Sequence, residues 1–126
     1  MKHLALLLAL CATAHAAPPD SFFRALHVVE TSGRTGAILG DNGRALGPLQ
    51  IHRAYHADAR IGGDYSRCAD LDYSRRVVTA YLQRYAPAAW AAGDVTTLAR
   101  IHNGGPRGAS KPATVAYAAK VARLTK

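Results

Sequence analysis

The chain has 126 residues, 49% of them hydrophobic, which is enough for one domain around one core. Its 16 basic residues outnumber its eight acidic ones, a formal +8. Such a balance suits a polyanionic partner (cell wall, anionic lipid or nucleic acid) or marks an Arg-rich soluble surface, and beyond the N-terminus no segment is apolar for long enough to cross a bilayer.

The chain opens like a secretory signal peptide. Lys2 and His3 form a short basic start, and Leu4–Ala12 form an apolar run too short to span a membrane. Ala14-His15-Ala16 then fits an A-x-A cleavage pattern. The expected division is a signal peptide over 1–16 and a mature domain over 17–126; a short N-terminal core helix is the competing reading. Losing residues 1–16 removes Lys2 and no acid, which leaves 15 basic and eight acidic residues, formally +7, spread along the chain and not gathered in blocks. Cys11 leaves with the signal. A lipid on Cys11 would call for a small residue before it, where Leu10 stands. Cys68 is then alone, so no internal disulfide is expected and stability must come from packing. No activating base is signalled beside it, so Cys68 reads as a half-buried structural thiol.

A first helix starts at Asp20 or Ser21, either of which can cap it. Phe22, Phe23, Leu26 and Val29 or Glu30 fall at helical spacing, and the helix should stop near Ser32-Gly33. Four glycines then make Thr31–Leu46 a loop, with a short hairpin around Asp41-Asn42-Gly43; any strands belong within residues 34–46. Pro48 can start a second helix through Gln50, Ile51, Tyr55 and Ala59, ended by Gly62-Gly63-Asp64. Asp70 or Asp72 caps a third helix, Tyr73–Tyr85, with a buried stripe of Val77, Val78, Tyr81, Leu82 and Tyr85. Pro87 stops it. Ala88–Ala92 is a short turn or helix carrying Trp90. Asp94 caps a helix over Val95–His102 that Gly104-Gly105-Pro106 ends. Ser110 caps the last, with Pro112 in its first turn and Ala113, Tyr117, Val121 and Leu124 along it. The expected fold is a small, mainly α domain with one long Gly-rich loop and no internal repeat.

Glu30 is the only glutamate of the chain; the other seven acids are aspartates. It extends the core-facing stripe at the C-terminus of a helix, where the helix dipole disfavours a negative charge, so a purpose beyond solubility is required. A carboxylate there, facing a glycine-rich loop, belongs at a cleft wall, and apolar surroundings favour the protonated form of such a group. Cutting a glycosidic bond takes one protonated acid beside the leaving oxygen and, in most cases, one ionised carboxylate. Glu30 on a helix end and Asp41 in a wet glycine loop fit those two environments. Asp41-Asn42-Gly43 is also good turn chemistry, so Asp41 reads equally as a turn residue. In Ile101-His102-Asn103-Gly104-Gly105-Pro106, polar side chains sit beside open backbone that a ligand can approach, although Asn and Gly also make a plain helix cap. His52 and His56 are four apart on a helix face, but Arg53 stands where a zinc protease needs Glu. No metal and no cofactor are expected.

These blocks, Glu30-Thr31-Ser32-Gly33, Gly47-Pro48-Leu49-Gln50-Ile51, Leu98 through Pro106 and the later Tyr117, resemble the lysozyme-like superfamily over roughly residues 22–121. The likenesses are to the invertebrate-type (destabilase) lysozymes, through His-Asn-Gly-Gly-Pro and an acid ahead of the Gly-x-x-Gln-Ile block, and to the soluble lytic transglycosylases. The resemblance implies a small lysozyme-like helical domain with the loop or hairpin beside the cleft. It implies a secreted or periplasmic enzyme that cuts the β-1,4 bond between N-acetylmuramic acid and N-acetylglucosamine, with peptidoglycan glycan strands as partner and no nucleic acid. Glu30 matches the catalytic acid. Asp41 matches the second acid of the invertebrate type approximately, across a loop about a residue shorter. Gln50, His102, Asn103 and Tyr117 would position sugar and acetamido groups. The invertebrate-type enzymes are disulfide-rich and this chain is not, and the transglycosylase motif has Tyr where His102 stands. A lytic transglycosylase would use Glu30 alone and leave a 1,6-anhydro sugar. A non-catalytic wall-binding or membrane-active protein would explain charge and secretion but not Glu30. An amidase or isopeptidase finds no Ser or Cys nucleophile with a base in reach.

Overall fold

The structure, a computed structural model, describes residues 17–126; the signal-peptide reading of residues 1–16, Cys11 included, lies outside the described residues. Among the described residues, six α-helices and a three-stranded antiparallel sheet surround one core. The first helix, α1 (Asp20–Thr31), buries Phe22, Phe23, Ala25 and Leu26 along one stripe. It ends where expected: Ser32 turns into left-handed backbone (φ 55°) and its N–H returns to Val28 O. Its start differs. Pro19 holds the cap position without a side-chain bond, and Asp20 is the first helical residue, paired with Arg75 at 2.9 Å.

The hairpin lies where the sequence put it. β1 (Leu39–Gly40) and β2 (Ala45–Leu46) pair with Leu39 opposite Leu46 and Gly40 opposite Ala45. Asp41 and Asn42 take φ of 49° and 56°, and Gly43 N–H donates to Gly40 O at 3.0 Å. Two consecutive left-handed residues make a tight turn matched to strand twist, and Asp and Asn tolerate that backbone best among residues with side chains.

The next segment corrects the expectation. Residues 48–52 are not helical. Gly47 (φ 83°) and Gln50 (φ 52°) bracket a turn closed by Gln50 N–H to Gly47 O at 3.0 Å. The chain then runs as a third strand, β3 (Ile51–His52), with Ile51 opposite Leu46 and His52 opposite Ala45. Strands therefore extend beyond residue 46. Gly47 is required, because a Cβ there would strike the Cys68 carbonyl. Helix α2 (Arg53–Ala59) starts only after β3 and stops at Arg60, ahead of the glycine pair.

A 3-10 turn over Tyr65–Ala69 buries Cys68 fully, not halfway, and burial pushes its thiol up to about 11. Helix α3 (Leu71–Tyr85) is capped by Asp70, whose carboxylate accepts from Tyr73 N–H at 2.7 Å. Val77, Val78, Tyr81 and Leu82 are buried along it, and Tyr85 is partly covered. α4 (Pro87–Ala92) follows, then α5 (Val95–Gly104), capped by Asp94 and running two residues past His102. The last helix, α6 (Val115–Leu124), starts later than Ser110 implies. Two 3-10 turns precede it, and Ser110 Oγ donates back to Arg107 O at 2.9 Å in place of capping. Ala118 and Val121 are its buried residues; Ala113 and Leu124 are exposed.

α6 packs on α1 and α5, and α3 packs on α2, α4 and α5. Phe22, Leu26, Leu49, Ile51, Leu82 and Leu98 are fully buried. Each such side chain is worth roughly 1.5–3 kcal/mol, and this packing holds a domain whose Cys68 is a free thiol. Thr31 Oγ1, one residue after Glu30, donates to Pro48 O at 2.9 Å in the interior and so ties the end of α1 to the sheet.

Candidate active site

The end of α1, the hairpin, the start of α2 and the end of α5 converge on a cleft of about 550 Å³. Glu30, Asp41, Ala45, Gln50, His52, Tyr55, His102, Asn103 and Gly105 line it. Both carboxylates singled out in the sequence are in one cleft, and three of the four sugar-site candidates join them. Tyr117 lies behind Glu30.

The helical wall is dry. The Glu30 side chain keeps 18% of its surface exposed and that of His102 only 3%. Tyr117 Oη donates to Glu30 Oε1 at 2.6 Å, and His102 Nε2 lies 3.4 Å from the same oxygen. On its other side, His102 Nδ1 is 2.9 Å from the Tyr55 hydroxyl. The Tyr55 ring stacks on Tyr81, centroids 3.6 Å apart and planes 11° from parallel. Glu30 therefore does not end α1 as an uncompensated charge: α6 gives it the Tyr117 hydroxyl as a donor, and α5 sets the His102 ring beside the same oxygen. Burial pushes the Tyr117 hydroxyl far above its ordinary value of 10.0, and the negative Glu30 beside it and their hydrogen bond push it further. Tyr55 is raised likewise, by burial first, then by Tyr81 and Glu30. Both hydroxyls stay protonated at neutral pH and remain donors.

The hairpin wall is wet. Asp41 keeps 46% of its side chain exposed. Arg44 Nη2 reaches one of its oxygens at 2.9 Å and His52 Nε2 the other at 3.2 Å. Asp41 is thus both a turn residue and a cleft carboxylate, and the turn chemistry delivers the side chain. Gln50 lines the cleft, but its amide nitrogen donates to Ile38 O at 3.2 Å and Gly47 O at 3.0 Å. It holds the hairpin in place; Gly40 is needed opposite, since a Cβ there would run into the Gln50 amide. Asn103 is exposed at the end of α5 and faces the opening.

Two lining residues with polar side chains, His52 and Tyr55, were missed as site residues. His52 counted only as half of a zinc pair with His56, and Tyr55 only as a helix-stripe residue. The structure separates the two histidines: His52 contacts Asp41, and His56 Nε2 meets Tyr73 Oη at 2.7 Å. Among the described residues no cluster of three or more His, Cys, Asp or Glu could hold a metal ion.

No protein-family model matches the chain. The lysozyme of Ostrea edulis is 40% identical over 81 residues, covering 60% of this chain and 58% of that protein. Invertebrate-type lysozyme 6 of Caenorhabditis elegans is 36% identical over 85 residues, covering 58% of this chain and 62% of that protein. The chain thus spans about three fifths of the length of these curated relatives. Among solved structures, the inhibitor-bound lysozyme from Meretrix lusoria superposes with a TM-score of 0.71 at 27% identity, over 86% of this chain and 91% of that one.

Proposed function

We propose that this chain, lysozyme-like in fold and similar in sequence to the invertebrate-type lysozymes, is a peptidoglycan glycosidase that cuts the β-1,4 bond between N-acetylmuramic acid and N-acetylglucosamine. One observation carries the reading: the chain's only glutamate, hydrogen-bonded from behind by Tyr117, shares a cleft with a half-exposed aspartate set between Arg44 and His52.

In this reading Glu30 gives its proton to the glycosidic oxygen as the C–O bond breaks. Asp41 stabilises or traps the oxocarbenium ion that forms, and water then adds to the anomeric carbon and returns a proton to Glu30. Asn103 is the side chain open to meet an acetamido or hydroxyl group. Gln50 fixes the loop that carries Asp41. The signal-peptide reading of residues 1–16 directs the enzyme out of the cytoplasm; among the described residues no helix is long and apolar enough to cross a membrane. The cationic surface favours an anionic wall, and that attraction weakens as salt rises.

Mass spectrometry of fragments released from purified peptidoglycan tests the proposal. Hydrolysis adds water and leaves reducing ends, and Glu30→Gln should release none. Fragments with 1,6-anhydro ends would assign a lytic transglycosylase instead, as would a near-normal rate in Asp41→Asn. No fragments from the unaltered protein would leave a lysozyme-like scaffold used for binding.

A further inference from the structure

His102 was first placed among the sugar contacts. Its surroundings argue for another role. With 3% of its side chain exposed, it offers a saccharide almost no surface. Both ring nitrogens already face protein groups: Nδ1 the Tyr55 hydroxyl at 2.9 Å, Nε2 the Glu30 Oε1 at 3.4 Å. The His102 ring meets Tyr55 edge-on and lies tilted to Tyr117, so aromatic neighbours fix its orientation.

A neutral imidazole carries one N–H, and the partner of the other nitrogen decides which. Tyr55 has a single hydroxyl proton, and His102 Nδ1 is the hydrogen-bond partner it meets. If the hydroxyl donates, Nδ1 accepts and the ring hydrogen sits on Nε2, aimed at the carboxylate. The other tautomer would set a bare nitrogen lone pair against a carboxylate oxygen. A contact of 3.4 Å is long for a hydrogen bond; catalytic hydrogen bonds of this length often tighten only in the substrate complex. Tyr117 donates to the same oxygen at 2.6 Å. Oε1 is therefore committed to the protein, and no hydrogen-bond partner for Oε2 is found among the described residues.

We infer that His102 is the positioning residue of Glu30: Tyr55 holds its ring in the tautomer protonated at Nε2, and with Tyr117 it anchors Oε1 so that Oε2 is the oxygen that carries the proton into the cleft. The catalytic part of this inference rests on the glycosidase reading; the tautomer does not.

Long-range proton–nitrogen NMR on histidine-labelled protein is the first test, and it needs no activity. The His102 ring should show its hydrogen on Nε2, and Tyr55→Phe should bring in the other tautomer. A ring protonated at Nδ1 in the unaltered protein overturns the inference, whatever the enzyme does. Kinetics on soluble peptidoglycan fragments are the second test. His102→Ala should lower kcat about ten- to a hundredfold with KM little changed, as expected for one donor lost from a charged group, and His102→Gln, which returns an N–H near the Nε2 position, should recover part of it. A raised KM with normal kcat would restore His102 to the sugar contacts. If the unaltered protein cleaves nothing, the glycosidase reading falls and the tautomer alone decides.

Discussion

The two walls of the cleft are built by opposite means. The helical wall takes Glu30 from α1, His102 from α5, Tyr55 from α2 and Tyr117 from α6 and leaves Glu30 only a small exposed face. The hairpin wall takes Asp41, Arg44 and His52 from a few neighbouring residues and stays half open. On the first, long-range packing positions a carboxyl, with neutral hydroxyls and an imidazole as partners. On the second, a tight turn positions a carboxylate, with Arg44 and His52 as partners. One cleft thus sets a largely shielded carboxyl across from a half-exposed one beside an arginine, the kind of carboxyl pair that glycosidic bond cleavage uses.

The largest effects should come from removing the two carboxyls. Glu30→Gln keeps the shape and the Tyr117 contact yet cannot give a proton; turnover of peptidoglycan should fall about 10²–10⁴-fold, the range for a lost general acid. Asp41→Asn should cost about 10²-fold, as when one group that stabilises developing charge is removed. Equal losses would erase the distinction between the walls.

Tyr117→Phe sharpens the comparison. It keeps the ring and deletes the only hydrogen bond that α6 gives to Glu30. A hydrogen bond to a charged group is worth about 1.5–3 kcal/mol, so kcat should drop about tenfold or more while the fold persists, as circular dichroism would report.

The dry wall also carries an alkaline signature. Burial first, and Tyr85 and Asp58 after it, push Tyr81 under the Tyr55 ring up to about 12, from 10.0. A hydroxyl raised in the folded state adds stability that is complete below pH 10.0, where the unfolded chain is neutral too, and that is lost as pH climbs toward about 12. Thermal unfolding midpoints should therefore fall over that window, and less steeply in Tyr81→Phe. Identical slopes would place Tyr81 in a wetter setting than the stacking implies.

The sequence reached one wall more easily than the other. The turn at Asp41-Asn42-Gly43 and the caps Asp70 and Asp94 are local chemistry, legible from three or four residues. Glu30 was legible as an exception: a single glutamate where the helix dipole opposes it. Of its partners, Tyr117 and His102 came only with the family resemblance, and Tyr55 not at all. Tyr117 lies 87 residues away and Tyr55 meets His102 across 47, distances that no spacing rule encodes. The helix expected from Pro48 failed for a tertiary reason. Gly47 must lie against Cys68, and Ile51-His52 gain a strand partner, which outweighs Pro48 as a helix start. That failure hid His52, because on a helix it pairs with His56 and on a strand it reaches Asp41.

The most direct test of the two-walled account is a crystal structure of the Glu30→Gln variant with a bound oligosaccharide of alternating N-acetylglucosamine and N-acetylmuramic acid. The account predicts a glycosidic oxygen within about 2.6–3.2 Å of the side chain at position 30, on the oxygen or nitrogen not held by Tyr117, with the anomeric carbon turned toward Asp41. A sugar chain bound elsewhere, or one that crosses the cleft with Asp41 remote from every ring, would contradict it.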